Sequence, residues 1–145
     1  MKATILIDNI ADSPLKDEWG LCVYIEHEGK KILLDTGASS KFTDNAKKLG
    51  IDLSEIDYAV LSHAHYDHAD GMEDFFGLNS KAKFYLKEQC KENCYGRKLI
   101  FSKYIGIKKG VLGKFDHRIQ YVKGDTERIV NYGLSIKDIV FTAIF

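Results

Sequence analysis

At 145 residues, with 45% apolar and 29% charged side chains, the chain has the size and balance of one globular domain with a proper core. Its 21 basic and 21 acidic residues cancel, which removes the electrostatic case for nucleic acid or an anionic membrane as a partner. Charged residues interrupt every apolar run well short of the roughly 18 needed to cross a membrane. The three cysteines, Cys22, Cys90 and Cys94, are not spaced like a secreted disulfide framework, and Met1–Asp8 makes a poor signal peptide. A reducing cytoplasm is therefore the expected setting.

In chain order, Ala3–Asp8 reads as a strand and the polar stretch Asn9–Gly20, with the only proline and the only tryptophan, as a loop. Leu21–Glu26 and Lys31–Asp35 are β-rich runs separated by His27-Glu28-Gly29-Lys30, the pattern of a hairpin. Asp35-Thr36-Gly37 closes the second run in a small polar turn. A helix follows: Ser39 or Ser40 can cap it, Phe42, Ala46 and Leu49 share one face, and Gly50 can end it. Tyr58–Ser62 is apolar enough for a buried strand. Gly71–Phe76 predicts a short helix, Lys83–Leu86 a strand, and Glu88–Tyr95 a polar, helical stretch. Ile119–Val122 and Arg128–Val130 are further strand candidates, and Ile136–Phe145 ends in a bare apolar run. The lysine-rich segments Lys81–Lys91 and Lys103–Lys114 read as solvated faces.

Between the buried strand and the short helix stands His63-Ala64-His65-Tyr66-Asp67-His68, which holds three of the five histidines. His63 and His65 are two apart, so in extended backbone both imidazoles point to one side. Asp67 and His68 come after a turn and can aim at a neighbouring position. Imidazole with carboxylate suits zinc, and also iron or manganese, whereas calcium would take oxygen alone. Two metals roughly 3.5–4 Å apart there could hold a hydroxide and polarise a scissile carbonyl or phosphoryl group. Chance is a poor explanation for so dense a cluster directly after a buried strand. Elsewhere, His27 reads as solvated in its hairpin turn, and Cys90 and Cys94 as ordinary reduced thiols.

Ser62-His63-Ala64-His65-Tyr66-Asp67-His68-Ala69-Asp70-Gly71 resembles the His-X-His-X-Asp-His signature of the metallo-β-lactamase superfamily. Leu33-Leu34-Asp35-Thr36-Gly37 is similar to that superfamily's upstream strand and turn. Lys103-Tyr104-Ile105-Gly106-Ile107 is similar to a subgroup named after a dihydropterin ribofuranosyl-aminobenzene phosphate synthase. The resemblance implies an α/β fold, an αββα sandwich with metals at one edge. It implies that His63 and His65 hold a first zinc ion, and Asp67 and His68 a second, with Asp67 also in the catalytic role and iron or manganese as other metals. Asp35 would orient the ligand loop from behind; its local alternative is a carboxylate bonding turn amides. The activity implied is hydrolysis of an ester, thioester, lactam, lactone or phosphoester in a small-molecule substrate by metal-bound hydroxide.

The pattern is incomplete downstream. Superfamily members add a third histidine, a bridging aspartate and a last histidine from a second αβ unit. Here His117 is the one later histidine, in surroundings more typical of a surface residue, and Asp125 is the candidate for the bridge. The expectation is a single domain over 1–145 that lacks its C-terminal αβ unit, and that associates with a second copy through exposed sheet surface. The rival reading is an inactive remnant of the same fold that serves, if at all, as a binding protein. A redox di-iron centre is disfavoured, because such members place glutamate where His65 stands.

Overall fold

The computed structural model describes residues 1–98 and 101–124. Among these, six strands form one sheet: β1 (Lys2–Ile7), β2 (Cys22–His27), β3 (Lys30–Leu34), β4 (Tyr58–Val60), β5 (Lys83–Lys87) and a last strand over Ile119–Val122, side by side in that order. β1, β2 and β3 are antiparallel, while β3, β4, β5 and the last strand run parallel. The parallel strands therefore bring their C-terminal ends to one edge, the usual place for a site in such sheets. The β2–β3 turn is tighter than its sequence suggests. His27 pairs with Lys30, leaving only Glu28 (φ 47°) and Gly29 (φ 73°) between the strands. Two consecutive left-handed residues give the turn a twist that matches the strands it joins.

Helices α1 (Lys41–Lys48), α2 (Tyr66–Ala69) and α3 (Met72–Leu78) fill the connections that return the chain to the next parallel strand. The register alternates as a two-faced sheet requires. Leu33, Ala59 and Phe84 face the helices and meet Phe42, Ala46, Met72 and Phe75 in the main core. Ile32, Val60 and Tyr85 face the other way and form a second cluster with Ile25, Leu34 and Tyr58. Fully burying a side chain such as Phe42, Phe75 or Phe84 contributes about 1.5–3 kcal/mol each. Phe75 meets Phe84 edge-on at 5.8 Å and Phe76 stacks on Phe115 at 4.4 Å, so aromatic contacts hold α3 to the sheet.

Several expectations change. Ser40, at the N-cap of α1, makes no side-chain cap bond; Ser39 Oγ accepts from the Lys41 amide at 3.3 Å, and the Glu18 carboxylate accepts from the amides of Ala38 and Ser39, both at 3.0 Å, and from the Ser39 hydroxyl at 2.6 Å. Leu49 lies just past the helix and is exposed, because Gly50 (φ 70°) and Ile51 have already turned the backbone back on Lys47 and Ala46. Glu88–Tyr95 is not helical. The Glu88 amide donates to Val122 and the Cys94 carbonyl accepts from Ile105, so long-range pairing takes the backbone groups a helix would need. A small hairpin missed by periodicity, β6 (Tyr95–Lys98) with β7 (Phe101–Tyr104), follows instead. The last strand becomes β8, preceded by α4 (Val111–Lys114) and a 3₁₀ turn over Asp116–Arg118. His27 is half-buried rather than solvated, with its Nδ1 enclosed and without a hydrogen-bond partner among the described residues. Arg128–Val130, Ile136–Phe145 and Asp125 lie outside the described residues. No described helix is long and apolar enough to cross a membrane.

The mixed, mostly parallel sheet under one helix layer is the α/β arrangement expected from the sequence. Among the described residues it amounts to one αβ half of the αββα sandwich.

Candidate metal centre

β4 ends at Val60, yet Leu61 still donates to the Tyr85 carbonyl, so the chain leaves the sheet only at Ser62. Ser62 is where the site begins. Asp35, at the end of β3, is fully buried and sits in left-handed backbone at φ 58°, a conformation that aspartate tolerates better than most residues. Its Oδ1 accepts from the Ser62 amide at 2.7 Å and its Oδ2 from the Ser62 hydroxyl at 2.6 Å. The same Oδ2 lies 2.8 Å from His68 Nδ1. One carboxylate thus ties the end of β3, the exit of β4 and the last histidine of the cluster together.

Proton positions follow from this chain of bonds. Because the Ser62 hydroxyl donates to Asp35, its oxygen is left to accept from His63 Nδ1 at 2.9 Å. His63 then has its lone pair on Nε2. His68, donating from Nδ1 to Asp35, likewise has its lone pair on Nε2. Burial, then the nearby His68 and His65, hold His63 below the ordinary histidine value, so its imidazole is neutral at neutral pH.

His63 Nε2 and His65 Nδ1 face each other at 3.1 Å. At that spacing two ring nitrogens share either one proton or one cation. Two nitrogens bound tetrahedrally to one zinc at about 2.0–2.1 Å would stand roughly 3.3 Å apart. The pair therefore fits two adjacent positions on a single metal. His68 Nε2 lies 3.8 Å from Asp67 Oδ2, and the His68 ring centroid is 4.0 Å from that of His63. Imidazole and carboxylate in this mixture suit a borderline divalent ion. Among the described residues no group of three or more His, Cys, Asp or Glu side chains is arranged to hold a metal ion.

Backbone packing fixes the loop on which these side chains ride. His65–Asp67 enters α2 as the Tyr66 amide donates to Ile105 at 2.9 Å and His65 bridges to Gly106. The start of the Lys103–Lys114 segment, read from sequence as a solvated face, thus packs against this loop through Ile105 and Gly106. From the other side, the His68 carbonyl accepts from the Thr36 amide at 2.8 Å and hydroxyl at 3.1 Å. Gly71 is required there, since a Cβ would come within 2.3 Å of the Thr36 carbonyl oxygen. Gly20 is required under α2: at φ 135°, its Cβ would fall 1.9 Å from the Asp67 carbonyl oxygen. Sequence reasoning missed Ser62, Thr36 and Gly20 as parts of the site. Gly20 carries no local signal, because its partner is 47 residues away in the chain.

Two histidines and the thiols stand apart. His117 is exposed, in the 3₁₀ turn that precedes β8, where its carbonyl accepts from Lys83 at the start of β5 at 2.6 Å. That is the N-terminal edge of the parallel strands, the end opposite to His63–His68. The surface setting expected from its neighbours fits this position, and the fold does not bring His117 to the cluster. His27 lies at that far edge too, at the end of β2. Burial, with Asp35 and Glu18 adding, pushes the Cys22 thiol well up, and burial raises Cys90, so both are protonated thiols at neutral pH.

A sequence profile of the metallo-beta-lactamase superfamily matches residues 19–140. An uncharacterized protein of Methanocaldococcus jannaschii is 39% identical over 69 residues, which cover 48% of this chain and 27% of that protein. The 7,8-dihydropterin-6-methyl-4-(beta-D-ribofuranosyl)-aminobenzene-5'-phosphate synthase of the same organism is 38% identical over 72 residues, covering 46% and 24%. The Anti-Pycsar protein of Saccharibacillus brassicae is 36% identical over 59 residues, covering 41% and 23%. The matched part thus spans about a quarter of these curated relatives' length. Among solved structures, a metal-dependent hydrolase of the beta-lactamase superfamily, Tm1679, superposes with a TM-score of 0.61 at 22% identity, covering 89% of this chain and 44% of that one. At this identity the likeness speaks for the fold.

Proposed function

Because the chain belongs to the metallo-beta-lactamase superfamily, we propose that it is a metal-dependent hydrolase of a small-molecule ester, thioester, lactam, lactone or phosphoester. The observation that carries the reading is the hydrogen-bonded path Asp35–Ser62–His63 together with Asp35–His68, which turns two imidazole lone pairs outward on the signature loop. His63 and His65 would hold one divalent ion, zinc by ligand preference with iron or manganese as substitutes, and Asp67 with His68 would contribute to a second. A bound divalent ion would supply Lewis acidity, activating water and polarising the scissile group.

The protein's own contributions can be named separately. Asp35 and Ser62 hold His63 and His68 each in one tautomer, so these two imidazoles need no reorganisation when a cation arrives, whereas His65 would give up the Nδ1 proton it shares with His63. Asp67, mostly buried beside His68, would take the proton of an attacking water on Oδ2. Thr36 and Gly20 keep the Asp67–His68 backbone from moving.

A second reading, an inactive member of the family that acts by binding, has one observation in its favour: the described residues complete no three-ligand set. Elemental analysis of the purified chain, with hydrolysis of bis(4-nitrophenyl) phosphate and 4-nitrophenyl acetate under added Zn²⁺ or Mn²⁺, separates the two. Bound metal and metal-stimulated turnover, both lost in His63→Ala, support the hydrolase. A chain that takes up no metal and turns over nothing sinks it.

A further inference from the structure

A cleft of about 450 Å³ opens beside the signature loop, walled by Tyr66 and Asp70 on one side and by Lys103, Tyr104, Gly106 and Lys109 on the other. Its size is that of a small-molecule site. Tyr66 immediately precedes Asp67, and Gly106 bridges to His65, so the cleft shares a wall with the candidate metal centre.

Its charges differ in how they are used. Lys108, also on the wall, is committed: its Nζ is 2.8 Å from Glu73, which pairs with Lys114 as well, and its amide donates to Asp70 Oδ1 at 3.0 Å. Lys109 is held in place without an anion, its Nζ 4.9 Å from the Tyr104 ring centroid and 3.3 Å from the Tyr95 hydroxyl. The Lys103 side chain makes no hydrogen bond or ion pair among the described residues, its backbone being paired with Gly96 in the β6–β7 ladder. The Tyr66 side chain is 40% exposed, and its hydroxyl has no partner there. Lys103 and Lys109, neither with a counter-anion among the described residues, thus line the same concavity as Tyr66. Asp70, the one carboxylate of the lining, is already bonded to the Lys108 amide.

We propose that this cleft binds the phosphate group of a phosphate-bearing small molecule, between Lys103, Lys109 and the Tyr66 hydroxyl. Two ammonium groups on flexible stems can close on a phosphate from separate directions, and a phenol adds a neutral donor. The inference refines the hydrolase reading by naming the substrate class: a phosphorylated compound whose phosphate is an anchor, with its scissile bond toward His63 and His65. It rests on that reading for its purpose but not for its test.

The test is binding, followed through backbone amide resonances of the full chain, with phenyl phosphate as probe and phenol and benzoate as comparators. It is run on protein as purified and again after chelation of metal. Saturable shifts at Tyr66, Gly106 and Lys109 that survive chelation are expected, weakening steeply with salt. Affinity should fall about tenfold in Lys103→Ala and further in the Lys103→Ala/Lys109→Ala double variant. Phenol should not shift these amides, and benzoate should bind at least several-fold more weakly. Absence of shifts, their loss on chelation, binding unchanged in the double variant, or benzoate binding as tightly as phenyl phosphate would each overturn the proposal. None of these outcomes bears on metal uptake or on turnover of 4-nitrophenyl acetate, which test the hydrolase reading by themselves.

Discussion

Asp35 and Asn79 are both completely buried polar side chains, one at each end of the parallel strands, and they are satisfied in opposite ways. Asn79 donates to the carbonyls of Leu53 and Ile56 and accepts from the amides of Lys81 and Ala82. Arg118 adds bonds to the Ala82 and Asn79 carbonyls. Apart from the Arg118 guanidinium, the partners of Asn79 are backbone groups, which neither titrate nor exchange. Asp35 instead spends its two oxygens on Ser62 and His68, and through Ser62 reaches His63. A buried amide bonded to backbone fixes a fold; a buried carboxylate bonded to an imidazole fixes a tautomer. That difference, more than the count of histidines, marks the C-terminal edge as the chemical end of the molecule.

The contrast can be broken by substitution. Asn79→Ala strands several buried backbone groups at once, and is expected to cost about 3 kcal/mol, lowering the melting temperature by roughly 6–12 °C, with metal stoichiometry unchanged. Metal loss in that variant would mean that the two ends are not separable. Asp35→Asn keeps the volume but offers an NH₂ where His68 and Ser62 need an acceptor. Metal affinity, read by competition with a chromophoric chelator, is expected to fall about 10–100-fold while the melting temperature of metal-free protein changes less than in Asn79→Ala.

Two smaller tests sharpen it further. Glu73 is held down to about 2 by its hydrogen bonds and charges from Lys108 and Lys114. Its folded value lies below its unfolded one, so whatever stability this exposed pair of bridges contributes is present above the ordinary glutamate range and fades as pH falls from about 4.5 toward 2. Carboxyl NMR titration should show Glu73 returning to the ordinary range in Lys108→Ala/Lys114→Ala; a titration left in place would discredit the bridges. Finally, His117→Ala and His27→Ala should leave metal content untouched, and His117→Ala should change stability by no more than about 0.5 kcal/mol, because His117 is exposed at the far edge. Loss of metal in His117→Ala would collapse the division between the two ends.

Much of the site was legible in the linear chain, because its signals are local. His63, His65, Asp67 and His68 occupy six consecutive positions after an apolar strand, and Asp35-Thr36-Gly37 closes another. The alternation of the strands and the Phe42/Ala46 spacing of α1 are equally local, and they placed the αβ layers correctly. What escaped was set by partners far apart. The Glu88–Tyr95 stretch has helical composition but gives its backbone groups to β8 and to Ile105, and the hairpin from Tyr95 to Tyr104 has no strong alternation to announce it. The parallel register was needed to put His117 at the opposite edge from the cluster.

Residue type and short spacing were enough to read the family, the sheet-and-helix order and the clustered His and Asp side chains from the linear chain. The folded chain was needed for the rest: which nitrogen of His63 and His68 carries the lone pair, why Gly20 must be glycine, and that Tyr66, Lys103 and Lys109 face one cleft. Those facts depend on contacts across 27 to 47 positions of chain, such as Ser62 on Asp35 and Gly20 under Asp67, and a pairing at that range leaves no local periodicity to read.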